Sequence, residues 1–135
     1  MISAREALQR LRDGNRRYCT GRAEAAGRDT REKRLELAGG QAPFAVVLGC
    51  ADSRVPVETV FDQGLGELFV VRVAGNVVAG TQLGSIEFAA DHFGSRLVVV
   101  LGHSGCGAVK ATLEHLRQPG GELTPGLRSL VKRVQ

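Results

Sequence analysis

Three short runs of apolar, mostly β-branched residues constrain this chain most: Phe44-Ala-Val-Val-Leu48, Leu68-Phe-Val-Val-Arg-Val73 and Leu97-Val-Val-Val-Leu101. Apolar and polar residues do not alternate along them, so each suits a strand buried on both faces, as in a parallel sheet. The intervening stretches read as helices: Pro56 to Asp62, with proline at a first-turn position, and Thr81 to Phe93. A third helix, Gly107 to Gln118, ends before Pro119-Gly-Gly. Strand and helix therefore alternate. The expected fold is α/β, a mostly parallel central sheet flanked by helices and joined by right-handed crossovers. A chain of 135 residues fits a single domain. With no Trp and one Tyr, its core must come from Val, Leu and Ala.

Ahead of the first run the character is helical and charged. Ser3-Ala-Arg-Glu6 has capping-box spacing. Ala4, Ala7, Leu8 and Leu11 then form one apolar face, which Gly14 is expected to end. Thr30 to Ala38 reads as a second helix closed by Gly39-Gly40. The expected division is a helical arm over residues 1–40 and an α/β core over residues 41–135. The net charge of +4 comes largely from Arg10 to Arg34. That stretch has no interleaved aromatics and no reading motif, so a solvated or subunit-facing helix surface is expected, not nucleic-acid binding. The longest apolar run falls far short of the ~20 residues that span a bilayer. The amino end is polar where a signal peptide would be apolar, so the cytoplasm is the expected compartment. At the other end, Leu127, Leu130, Val131 and Val134 follow a helical period after Thr124-Pro125, with no stop signal before Gln135. Such a pattern reads as a chain cut short.

The reactive residues sit where two of the runs end. Cys50 follows the first run, and His103 and Cys106 follow the third. In an open parallel sheet the carboxyl ends of strands form the binding edge, which brings these groups towards one place. Two cysteines and a histidine make a soft-to-borderline donor set that suits Zn²⁺, and three protein ligands leave a fourth tetrahedral position for water. Gly49, Gly102, Gly105 and Gly107 surround them and permit close backbone approach. Cys19 reads as a free thiol, and His92 and His115 fall on helical sequence where neither is needed. A redox disulfide between Cys50 and Cys106 is the competing reading, and it leaves His103 unexplained.

The neighbours of these residues make the pattern specific. Cys50-Ala-Asp52-Ser-Arg54-Val-Pro and Gly102-His103-Ser-Gly-Cys106-Gly-Ala resemble the two signature motifs of β-class carbonic anhydrases. Between them, Gly64-Leu-Gly-Glu-Leu-Phe-Val-Val-Arg72-Val-Ala-Gly-Asn76 is similar to the family's central stretch, and Leu8 to Tyr18 to its amino-terminal helix. The resemblance implies zinc held by Cys50, His103 and Cys106. It also implies reversible hydration of carbon dioxide to bicarbonate by attack of zinc-bound hydroxide. Asp52 would accept the hydroxide's hydrogen bond and Arg54 would hold Asp52. In some relatives this Asp binds the zinc instead of water. Gln41 matches by position a glutamine that contacts bicarbonate in plant-type relatives, and Gln41 and Gly107 are the expected substrate contacts. The inhibitory bicarbonate site of some bacterial relatives uses a Trp, which this sequence lacks.

The resemblance further implies a homodimer or larger homo-oligomer whose amino-terminal helices embrace the partner. Relatives continue past the point where this sequence stops. Two thiolates cancel the formal charge of the metal, so activity is expected to rise towards alkaline pH. Two alternatives share the ligand set: hydrolysis of carbonyl sulfide or carbon disulfide, and a catalytically weak zinc-stabilised module. The Asp52–Arg54 pair argues against the second, because a structural site does not require it.

Overall fold

A computed structural model describes residues 1–118 and 120–135; Pro119, read above as part of a helix-ending break, lies outside them. Among the described residues three strands form one sheet: β1 (Ala45–Cys50), β2 (Leu68–Val73) and β3 (Val98–Leu101). Their order is β2-β1-β3 and both pairings are parallel. The register sets Val46 opposite Phe69 and Val98, and Cys50 opposite Val73. The helices are α1 (Ala4–Cys19), α2 (Arg31–Leu37), α3 (Val57–Val60), α4 (Gly80–Phe93), α5 (Gly107–Arg117) and α6 (Pro125–Val134).

Burial on both faces holds for β1 and fails for its neighbours. Every residue of β1 is buried. Val46, Val47 and Leu48 are fully enclosed, each worth roughly 1.5–3 kcal/mol of apolar transfer. In β3 exposure alternates instead. Val99 and Leu101 pack against the core formed with Ala7, Leu11, Val57 and Phe61, while Val98 and Val100 are 44% and 62% exposed. The reason is position. β1 is paired on both sides, whereas β3 is an edge strand, and its outer face is not covered among the described residues.

Local signals set most helix starts. Ser3 Oγ accepts the Glu6 amide at 3.2 Å, and Glu6 Oε2 accepts the Ser3 amide at 2.8 Å, completing the capping box. Thr30 and Thr124 accept the Lys33 and Leu127 amides in the same way. Pro56 precedes α3 as its cap residue and is not part of its first turn.

Gly14 does not end α1, which runs on to Cys19. It is buried where α1 crosses α3, and a Cβ built there would lie 1.8 Å from the Phe61 carbonyl oxygen. The glycine therefore permits two backbones to touch. Beside it, Asn15 Nδ2 donates to the Val60 carbonyl at 3.0 Å.

Asp62 fastens the amino-terminal segment to the core. Its side chain is fully buried. Oδ1 accepts the Glu24 and Ala25 amides at 2.8 and 2.7 Å, and Oδ2 accepts Arg17 Nε at 2.5 Å. Burial opposes its ionisation, yet Arg17 and the two amides hold the carboxyl below the usual carboxylate range.

Candidate metal centre

Because β1 and β3 are parallel neighbours, their carboxyl ends open at one edge of the sheet, and each delivers candidate ligands there. Cys50 is the last residue of β1. The chain leaving β3 passes through His103, turns at Gly105 (φ +68°) and reaches Cys106, from which α5 begins. The left-handed conformation at Gly105 is one that L side chains rarely adopt, which is why a glycine stands between His103 and Cys106. The ligand atoms of Cys50, His103 and Cys106 all lie within 4.8 Å of one another.

The dimensions and chemistry fit zinc. The two sulfurs are 3.9 Å apart. Two thiolates at ~2.3 Å from a tetrahedral Zn²⁺ would be separated by about 3.8 Å. Both cysteines are free, and the spacing is nearly twice a disulfide bond of ~2.05 Å. His103 Nδ1 lies 3.0 Å from the Ser104 carbonyl, which assigns the proton to Nδ1 and leaves the lone pair on Nε2. Among the described residues, Nε2 is buried without a hydrogen-bond partner. An orphaned buried polar atom costs roughly 1–3 kcal/mol, and coordination removes that cost.

The surroundings favour thiolate. Burial pushes the Cys50 thiol up, but the Asp52 and Gly75 amides, His103 and Cys106 bring it down to about 7. The Gly75 amide donates to its sulfur at 3.3 Å. His103 is raised, chiefly by the nearby Cys50 sulfur, with burial opposing.

Asp52 and Arg54 stand beside the ligands. Asp52 Oδ1 accepts both the amide and Nε of Arg54, at 3.0 and 2.9 Å, and Oδ2 accepts an Arg54 terminal nitrogen at 2.7 Å. Arg54 also donates to the Gly105 carbonyl at 3.2 Å, tying the two ligand loops together. These bonds hold the Asp52 carboxyl well below the usual carboxylate range. A carboxylate offers about four acceptor positions. Arg54 fills both on Oδ1 and one on Oδ2, so one remains on Oδ2. That oxygen is 3.9 Å from His103 Nε2, so the free acceptor position belongs to the oxygen next to the cluster.

The other expected site residues lie at different distances from this centre. Gly107 is the exposed first residue of α5, next to Cys106. Gln41 is exposed and precedes β1 at its opposite end from Cys50. The five steps of that strand alone amount to about 17 Å at ~3.3 Å per residue, so one chain does not bring Gln41 to the ligands. Cys19 is exposed on α1, and His92 stacks on Phe88 at 4.1 Å between ring centroids; neither joins the cluster. Arg72, quoted above within the family-like central stretch, was given no role from the sequence. Its Nε donates to the Cys50 carbonyl at 2.9 Å and a terminal nitrogen to the Asp52 carbonyl at 2.6 Å. The available signal was a single charge inside an otherwise apolar strand run.

Comparison with known proteins gives a consistent result. A family model described as "Carbonic anhydrase" matches residues 45–135. Carbonic anhydrase 2 of Mycobacterium tuberculosis is 47% identical over 131 residues, covering 95% of this chain and 61% of that protein. The carbonic anhydrase of Mycolicibacterium smegmatis is 49% identical over 129 residues, with the same coverage of 95% and 61%. The chain thus spans about three fifths of the length of these relatives (61%). Among solved structures, a Coccomyxa β-carbonic anhydrase in complex with acetazolamide superposes with a TM-score of 0.64 at 30% identity, over 93% of this chain and 54% of that one. A structure described as one of two tetrameric β-carbonic anhydrases from Sordaria macrospora gives 0.64 at 32% identity, over 73% of this chain and 49% of that one.

Proposed function

Because the chain belongs to the β-carbonic anhydrase family, we propose that it catalyses the zinc-dependent reversible hydration of carbon dioxide to bicarbonate and a proton. One observation carries this reading: a Cys-His-Cys cluster suited to zinc lies beside a carboxylate with one acceptor position left free. Zinc bound by Cys50, His103 and Cys106 supplies a Lewis acid that brings the ionisation of water near neutral pH. The remaining work falls to the chain's own side chains. Asp52 Oδ2 takes a hydrogen bond from the attacking water and so turns the water's lone pair towards the substrate carbon. Carbon dioxide has no hydrogen to offer, so an acceptor-only group at this position selects for the nucleophile. Arg54 keeps Asp52 ionised and fixed in direction. Gly107 leaves the backbone at the start of α5 open to a substrate oxygen.

The chain works as a homodimer or larger homo-oligomer, with residues 1–40 as the helical part of one domain and residues 41–135 as its α/β core. Val98 and Val100 present apolar surface suited to burial against another copy. Gln41 meets substrate only if a second copy carries it there. Thiolate ligands need reduced thiols, which fits the cytoplasm. No helix among the described residues is long and apolar enough to cross a membrane.

The test is zinc analysis together with stopped-flow carbon dioxide hydration, on the wild type and Asp52→Ala. About one zinc per chain is expected in both proteins. The rate should fall at least about tenfold in the variant only. A zinc-loaded wild type with no hydration activity would refute the proposal.

A further inference from the structure

We propose that Arg72 is a positioning residue for the reaction, its guanidinium fixing the main chain that carries Cys50 and Asp52. This rests on the hydration reading above and adds to it a residue on a different strand. Arg72 lies on β2, opposite Gly49 of β1 in the parallel register. From there one planar fork reaches two carbonyls of the loop leaving β1, that of Cys50 at 2.9 Å and that of Asp52 at 2.6 Å. The Asp52 carbonyl also accepts the Val55 amide at 3.2 Å, and the Ala51 amide donates to the Val73 carbonyl at 3.1 Å. The Cys50-Ala51-Asp52 backbone is therefore held from β2 on both sides of Ala51.

The two arginines divide the work. Arg54 grips the Asp52 carboxylate and Arg72 grips its backbone. Without Arg72 the Asp52–Arg54 pair stays intact and keeps the Ala51–Val73 and Arg54–Gly105 bonds, but the Cys50 and Asp52 carbonyls lose their tie to β2 and the carboxylate can shift. Arg72 is the side chain that adds two further ties from β2 to that loop, beside the backbone bond of Ala51 to Val73. A misplacement of ~1 Å at a reacting group can cost about a hundredfold in rate, so this tie bears on turnover. Arg72 itself is exposed, which separates its part from core packing. A lysine keeps the charge but presents a single point where two divergent carbonyls need a fork.

The experiment uses the full chain loaded with zinc or with cobalt, comparing wild type, Arg72→Gln and Arg72→Lys. Three quantities are read: kcat and KM for carbon dioxide hydration, the visible spectrum of the cobalt form, and the thermal midpoint of the metal-free protein. Arg72→Gln should lose about ten- to a hundredfold in kcat, the range for groups that support metal ligands, with little change in KM. Its cobalt spectrum should shift, since the Cys50 main chain is released, and its metal-free midpoint should stay near that of the wild type. Arg72→Lys should recover only part of the loss. The proposal is overturned if Arg72→Gln keeps kcat within about twofold of wild type. Full rescue by Arg72→Lys, or a loss matched by a fallen metal-free midpoint, overturns it as well. If the zinc-loaded wild type is inactive, the functional reading fails and the cobalt spectrum alone decides: a shift in Arg72→Gln supports the clamp and an unchanged spectrum overturns it.

Discussion

Asp62→Asn isolates the charge that fastens the amino-terminal segment to the core. Asparagine has nearly the same shape, and it tolerates the positive φ of 49° at this position, where alanine would add backbone strain. Its carbonyl oxygen can keep the Glu24 and Ala25 amides. Its NH2 group then faces Arg17 Nε, donor against donor, where the carboxylate now accepts at 2.5 Å. A hydrogen bond to a charged group is worth about 1.5–3 kcal/mol. Arg17 is 34% exposed and can turn to water, so the lower half of that range applies. With a urea m-value of ~1–3 kcal/mol/M, the unfolding midpoint should fall by about 1 M at pH 7, with m unchanged. The pH dependence gives a second check. The folded carboxyl is held below its ordinary value, so its contribution is complete above the unfolded pKa of ~3.9 and fades as pH falls through the folded value. The gap between wild type and variant should be constant from pH 7 to about 5 and shrink below about 4. A midpoint shift under ~0.3 M, or a gap that widens in acid, would refute this reasoning.

Gly14→Ala reverses the usual sign of a glycine-to-alanine change in a helix. Propensity alone favours alanine by about 1 kcal/mol, but a Cβ 1.8 Å from the Phe61 oxygen forces α1 away from α3. A net loss of about 1–3 kcal/mol in urea unfolding is expected, and a stabilised variant would show that α1 is not seated as described. The proposed carbon dioxide hydration should rise from neutral towards alkaline pH, because a metal held by two thiolates would acidify water less than one held by three histidines. A flat stopped-flow profile over that interval would count against it. Light scattering should give at least a dimer, and a monomer at working concentration would remove both the assembly and the role of Gln41.

The strands and helix caps were legible because their signals are local, and the proximity of Cys50, His103 and Cys106 because parallel strands end at one edge. Leu68–Val73 is a strand as its β-branched run implies, Ser3–Glu6 closes a capping box, and Thr124 caps the last helix. Cys50 and the His103–Cys106 pair could be brought together on paper, since strands of a parallel sheet end at one edge. Tertiary structure decided the rest, because it depends on which surfaces meet. An apolar run does not say whether its strand lies in the centre or at an edge, so Val100 reads like Val46 in sequence and differs from it completely in exposure. Gly14 looks like a helix stop until the Phe61 carbonyl is seen against it. The side chains of Asp62 and Arg72 find their partners 37 and 20 residues or more away. Only the register of β1 with β2, and the crossing of α1 over α3, puts those pairs within hydrogen-bond reach.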